Sequence, residues 1–222
     1  MQGPSWRKFA RQYLLPQLPG WTLCGSYLVC GRPDWILHGL YVDTSAFSAA
    51  VLLPNLLNIP LYVGDQEGPS GEYGERLQAP SSTGHSWTWK AGKEEELFSR
   101  LLDAIQAQAP RVFRESDTPF DLVTWIERRG RSHDNPGSLE AEAYSWIIAG
   151  QPQKATVIMR RLIRVMHKYD GPSRSFEFDL LERIALVRRA LSSSTEAATT
   201  IFRAWRDANL RRLKMEQFIE IA

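Results

Sequence analysis

Residues 21–42, WTLCGSYLVCGRPDWILHGLYV, decide how the front of this chain folds. Two apolar runs rich in aromatic and β-branched residues, 21–30 and 34–42, flank Gly31-Arg32-Pro33, and such a pair predicts a β-hairpin. Downstream, residues 47–53 and 60–63 continue in the same character and predict two further strands, with 55–58 between them as a turn or a single helical turn. Upstream, Trp6, Phe9, Ala10, Tyr13 and Leu14 recur at helical spacing, which predicts a short amphipathic helix over 4–15 that Pro16 and Pro19-Gly20 stop. Residues 64–86 hold Gly64, Gly68, Gly71, Gly74 and Gly84 and read as a loop, with short strands expected at 73–77 and 87–90.

After Gly92 the apolar period changes from two to 3.6. Leu97, Leu101, Leu102, Ile105 and Ala109 form one stripe of a helix over 93–109, and Glu94, Glu95 and Glu96 complement the positive end of its dipole. A helix over 120–129 follows the start signal Asp117-Thr118-Pro119. The polar stretch RGRSHDNPG, 129–137, predicts a domain boundary. Behind it, 139–149 pairs with 153–167 across Gly150-Gln151-Pro152, and 176–191 pairs with 196–210 across 192–195, with Thr195 as the expected N-cap. The two turns lie about 42 residues apart, the spacing of an internal helical-hairpin repeat. The expected fold class is α+β: an antiparallel-sheet N-terminal domain with flanking helices over 1–130, followed by an all-α helical-hairpin domain over 138–222.

The composition fits that layout. Of 222 residues, 43% are hydrophobic and 23% charged, which excludes wholesale disorder and a collagen-like chain. A net charge of +2 is too balanced to imply a polyanionic partner. Charge is nonetheless uneven, with 8 basic and 10 acidic side chains over 1–110 against 19 and 15 over 111–222. Cys24 and Cys30, six residues apart in one expected strand, would share a face at roughly 20 Å. That is too far for a disulfide, so two free thiols in a reducing compartment are expected. The first residues, MQGPSWRKFARQYLLPQLPG, carry Arg7, Lys8 and Arg11 and no long apolar core, unlike a secretory signal. With no uninterrupted apolar run of about 18 residues, the expectation is a cytoplasmic protein without a membrane span.

Chemistry-bearing patterns are sparse. There is no G-x-S-x-G elbow and no phosphate loop, and the glycine-rich stretch 64–74 carries Asp65, Glu67 and Glu72 but no cation. His38, His85, His133 and His167 are scattered, so no metal and no cofactor are expected. His38 reads as a hydrogen-bonded, half-buried strand residue. His133-Asp134-Asn135 has ligand-type side chains but sits in a loop. Asp65, Glu72 and Glu75, with Arg76 or Lys90 as a nearby cation, form the candidate catalytic set of a metal-dependent hydrolase or nuclease. Solvated loop charges are the plainer account of them. On the helix from Gln153, Ala155, Ile158, Met159, Leu162, Ile163 and Met166 form one face, while Arg160, Arg161, Arg164 and Lys168 fall largely opposite. Arg203, Arg206, Arg211, Arg212 and Lys214 extend this basic character, which would serve phosphate contact if it coalesced and is otherwise a solvated face. Trp87 and Trp89 alternate with Thr88 and Lys90, so both point one way, into a core or onto an aromatic contact patch.

The stretch AYSWIIAGQPQKATVIMRRLIRVM, 143–166, resembles one unit of the tetratricopeptide-like helical hairpins, with Ala149, Gly150 and Ala155 where the two helices approach closely. PLYVGD at 60–65, followed by YGERL at 73–77 and the tryptophan pair, resembles strand patterns of uncharacterised bacterial proteins. The leading functional expectation is a non-catalytic protein–protein interaction module, an accessory, inhibitor or immunity-type component. Its partner would be another protein, held through Trp87, Trp89, Arg160, Arg161 and Arg164. The alternatives are the hydrolase or nuclease above, and a nucleic-acid-binding module using the rear basic helices.

Overall fold

The run 21–30 is itself a hairpin in the computed structural model of the chain, which describes residues 6–45, 48–64, 73–79, 87–90, 92–128, 135–168 and 174–219. β1 (Trp21–Cys24) and β2 (Tyr27–Cys30) pair antiparallel, Trp21 opposite Cys30 and Cys24 opposite Tyr27. Gly25 and Ser26 make the turn, and Gly25 takes φ +58°, the first central position of a II′ turn that only glycine enters without strain. The expectation of one strand is thus corrected, because Gly-Ser between two four-residue apolar runs is a turn and not a strand interior. The cysteines consequently occupy opposite ends and opposite faces of the hairpin rather than one face of a strand. Both are free thiols.

The sheet continues in the order β1-β2-β3-β4-β5, with β6 also pairing β4. β2 pairs antiparallel with β3 (Ile36–Ser45), so the hairpin expected across 31–33 is present. β4 (Ser48–Pro60) is one strand of 13 residues where two strands and a turn were expected. Its turn-type residues have other uses. The Pro54 carbonyl accepts from Leu77 N at 2.9 Å. The Asn58 amide bridges His38 Nδ1 at 2.7 Å and the Val112 carbonyl at 3.4 Å. β5 (Glu75–Arg76) and β6 (Trp87–Thr88) both pair antiparallel with β4, on either side of Pro54 in its sequence.

One face of this sheet is closed by helices. The N-terminal segment runs as α1 (Trp6–Phe9), a π-helical turn (Ala10–Leu14) and a 3-10 turn (Leu15–Gln17). α2 (Glu94–Arg114) runs through Pro110, past the stop expected there, because Val112 and Phe113 prolong its buried stripe. Leu28, Leu40, Val42 and Leu56 of the strands pack with Phe9, Leu14, Leu101 and Ile105 in one core.

The remaining helices are α3 (Pro119–Arg128), α4 (Pro136–Ile148), α5 (Pro152–Met166), α6 (Arg174–Ser193) and α7 (Thr195–Arg212). Each packs on the next from α3 to α7, and α4 also meets α7. Asn135 caps α4 by accepting from Ser138 N at 3.0 Å, with Pro136 in its first turn. Gly150, at φ +75°, ends α4. There Gln151 N donates to Trp146 O at 2.8 Å and Gly150 N to Ile147 O at 3.0 Å, a Schellman motif that turns the chain into α5. The cap of α7 is Ser194 rather than Thr195, since Ser194 Oγ accepts from Ala197 N at 3.0 Å.

The chain forms two compact units, a sheet unit of 1–59, 69–114 and 213–222 and a helical unit of 60–68 and 115–212. The division therefore differs from the one expected at 131–137. α3 belongs with the helices behind it because it packs on α4. Residues 213–219 belong with the sheet: Met215 is fully buried, and Gln217 Nε2 donates to Cys24 Sγ at 3.1 Å.

Candidate functional site

In the helical unit, α4 is buried almost all round, and it carries two carboxylates into that environment, Glu140 and Glu142. Glu140 receives Arg183 of α6 bidentately, Nε to Oε1 at 2.8 Å and Nη2 to Oε2 at 3.0 Å. Burial pushes the Glu140 carboxyl up and the two bonds from Arg183 pull it back. The fork geometry is that of a charged pair. Arg183 can lie there because residue 64 is glycine: a Cβ would run into the Arg183 Cδ. Tyr144, one turn beyond Glu140, has a buried hydroxyl that interacts with the Glu140 carboxylate, and its pKa is driven up by burial and then by the Glu140 charge.

The same helices hold 61–64 in place. Ser145 Oγ donates to Ala141 O at 2.6 Å, so the Tyr62 hydroxyl, also 2.6 Å from Ser145 Oγ, must donate to it. Asn209 Nδ2 donates to the carbonyls of Leu61 and Val63, both at 2.8 Å, and Arg212 donates to Asn209 Oδ1 at 3.1 Å. Tyr62, Tyr144 and Trp205 gather around Phe202 with ring centroids 5.0–6.4 Å from it. These are anchoring contacts, each with its own polar or aromatic partner inside the fold.

A different arrangement occupies the outer face of α3, α4 and α5. Phe120 is 48% exposed and meets Trp146 edge-on at 5.8 Å, while Lys154 Nζ stands 3.9 Å from the Trp146 ring centroid on a cation–π contact. Val157, three residues along α5 from Lys154, is 60% exposed. One or two turns away on each helix stand Glu142, Glu127 and Arg161. Glu142 is buried and its Oε2 has no hydrogen-bond partner. Burial, then the Glu127 charge, push its carboxyl up to about 7 against a smaller opposing pull from Arg161. This face therefore has an apolar, cationic end and an end where Glu127 and Arg161 flank the buried Glu142.

The residues expected from sequence are distributed as follows. Asp65 and Glu72 lie outside the described residues. Glu75, on β5, accepts from Arg111 Nη2 at 2.6 Å. Trp87 is buried in the sheet core with Nε1 donating to Leu77 O at 3.2 Å, and Trp89 is half-buried against Phe9 at 5.2 Å. Arg160 and Arg164 are exposed on α5, and Arg161 is half-buried beside Glu142. His38 has its Asn58 partner, and His133 and Asp134 lie outside the described residues. Among the described residues, no three His, Cys, Asp or Glu side chains gather as a metal would need, and no helix is long and apolar enough to cross a membrane.

Sequence reasoning missed Phe120, Trp146 and Glu142. The available signal was LEAEAYSW, 139–146, where two glutamates interrupt an otherwise apolar helix and so must be buried or paired. No protein-family model matches the chain, and no curated protein or solved structure matches it.

Proposed function

We propose that this chain is a non-catalytic interaction protein that binds another protein through the α3–α4–α5 face of its helical unit. One observation carries the reading: among the described residues, the exposed large hydrophobic side chains Phe120 of α3 and Val157 of α5 stand on that face, and the others, Phe178 and Leu186, stand on α6 of the same unit. Exposed apolar side chains of this size, rimmed by Lys154, Arg160 and Arg161, have the composition of an interface centre with a polar border. The resemblance of 143–166 to a tetratricopeptide-like hairpin supports the reading, since stacked helical hairpins offer extended binding surfaces. An accessory, inhibitor or immunity-type role in the cytoplasm belongs to the same proposal, and the two unlinked thiols suit that compartment.

The test compares the parent with Phe120→Ser/Val157→Ser in quantitative affinity capture from the native host. Both positions are exposed, so the double variant should keep the parent's unfolding midpoint. A protein that the parent captures and the folded double variant loses supports the reading. Identical captured sets from the two would overturn it.

A further inference from the structure

The sheet unit contains a pocket of about 390 Å³ that the helical face does not explain. It opens where Leu18 and Pro19, the open end of the β1–β2 hairpin and the second half of α2 come together. Leu18, Trp21, Cys30, Ile105 and Phe113 supply apolar wall, and among the described residues no charged side chain lines it. Trp21 and Cys30 are direct cross-strand partners and so share the face that looks into it. The Trp21 and Phe113 rings stand 5.9 Å apart at an interplanar angle of 46°. The volume falls at the small end of the roughly 300–1,000 Å³ common for ligand pockets.

The mouth of the pocket carries an unusual piece of backbone. Gln106 and Pro110 both line it, and they are four residues apart on α2. In a helix the residue-110 N–H would donate to the Gln106 carbonyl, and proline has none to give. A proline inside a helix is the least favoured placement in that structure, and here it removes the regular donor from a carbonyl at the rim of an apolar cavity. Without its regular donor inside the helix, such a carbonyl is able to accept from a ligand donor.

We propose that this pocket binds a small uncharged aromatic compound carrying one hydrogen-bond donor, with its ring against Trp21 and Phe113 and its donor on the Gln106 main-chain carbonyl. Charged ligands are disfavoured because, among the described residues, no ionic side chain lines the walls to offset their desolvation. A compound of one or two fused rings is of suitable size. The site stands apart from the protein-binding reading, and neither depends on the other.

The probe is 1-naphthol, compared with 1-methoxynaphthalene, which lacks the donor, and 1-naphthoate, which is charged. The readout is the alkylation rate of Cys30 by iodoacetamide, located by mass spectrometry, with the buried Cys24 as internal control. Naphthol should slow Cys30 alkylation saturably and bind at least about fivefold more tightly than the ether, while naphthoate gives no protection at matched concentrations. Pro110→Ala restores an N–H for the Gln106 carbonyl and should erase the preference of naphthol over ether while leaving both bound. Gln106→Ala keeps the carbonyl and should keep the preference. No saturable protection, equal affinity of naphthol and ether in the parent, a preference that survives Pro110→Ala, or one lost in Gln106→Ala would each overturn the proposal.

Discussion

In the sheet unit the Glu75–Arg111 pair closes at 2.6 Å with the two side chains 20% and 51% exposed, whereas in the helical unit the Glu140–Arg183 pair closes at 2.8 Å with 2% and 14%. The chemistry is the same and the contact distances nearly so. What differs is the water, and water decides how much each pair matters. The exposed pair exchanges one set of good hydrogen bonds for another and contributes little. The enclosed pair cannot fall back on solvent, so either member left alone is an uncompensated charge. The units also differ on the outside. Among the described residues, the sheet unit turns its large apolar groups inward or into a pocket, while the helical unit leaves four of them on its surface and keeps carboxylates inside.

The sharpest way to break this comparison is Arg183→Met, which strands Glu140 in the helical core. It should cost about 3–5 kcal/mol at neutral pH. Urea unfolding of this variant and of Glu140→Leu/Arg183→Met decides the matter, because the double replacement removes the lone charge and should recover much of the loss. If Arg183→Met costs under about 1 kcal/mol, the enclosed pair is no different from an exposed one.

Glu142 tests the comparison through pH. Its carboxyl is pushed up to about 7 in the folded chain from an ordinary 4.5, so the folded state holds the proton more tightly than the unfolded state does. The associated stability is fully present below about 4.5 and is lost as pH rises through about 7. Glu142→Gln cannot titrate. Relative to the parent it should gain about 1–2 kcal/mol at pH 8 and almost nothing at pH 4.5. Unfolding curves at the two pH values that give the same difference would show that Glu142 is hydrated in the folded state.

The smallest effect belongs to the sheet unit. Arg111→Met should shift stability by under about 1 kcal/mol. Raising salt should shrink even that difference, because an exposed pair is screened. A loss comparable to that of Arg183→Met would erase the distinction between the units.

Much of the architecture is legible in the sequence, and the reasons lie in particular residues. α5 announces itself because Ala155, Met159, Leu162 and Met166 are buried at helical spacing. α4 has no clean stripe, being buried on all sides, and is found instead from what surrounds it, the polar stretch 129–137 before and Gly150-Gln151-Pro152 after. Local chemistry misleads where a residue serves a distant partner. Asn55 and Asn58 look like turn formers, yet Asn58 sits within β4 and its amide reaches Val112, 54 positions away. Pro110 looks like the end of α2, yet the buried stripe beyond it prolongs the helix. The outer face of α3–α5 is the least legible part. Phe120, Trp146 and Lys154 come from three helices, and no spacing in one dimension reports that they touch.

The sheet unit takes in residues 213–222, and this orders the birth of the molecule. On the ribosome the strands and α2 emerge before the helices α3 to α7, but the segment that buries Met215 and reaches Cys24 emerges after them. The sheet unit is therefore closed only after these helices of the other unit have been made. A nascent chain stalled short of residue 213 would carry β1 to β6 and none of their closing segment, and a stop codon there would release a protein in which the sheet unit, made ahead of α3 to α7, is the incomplete one.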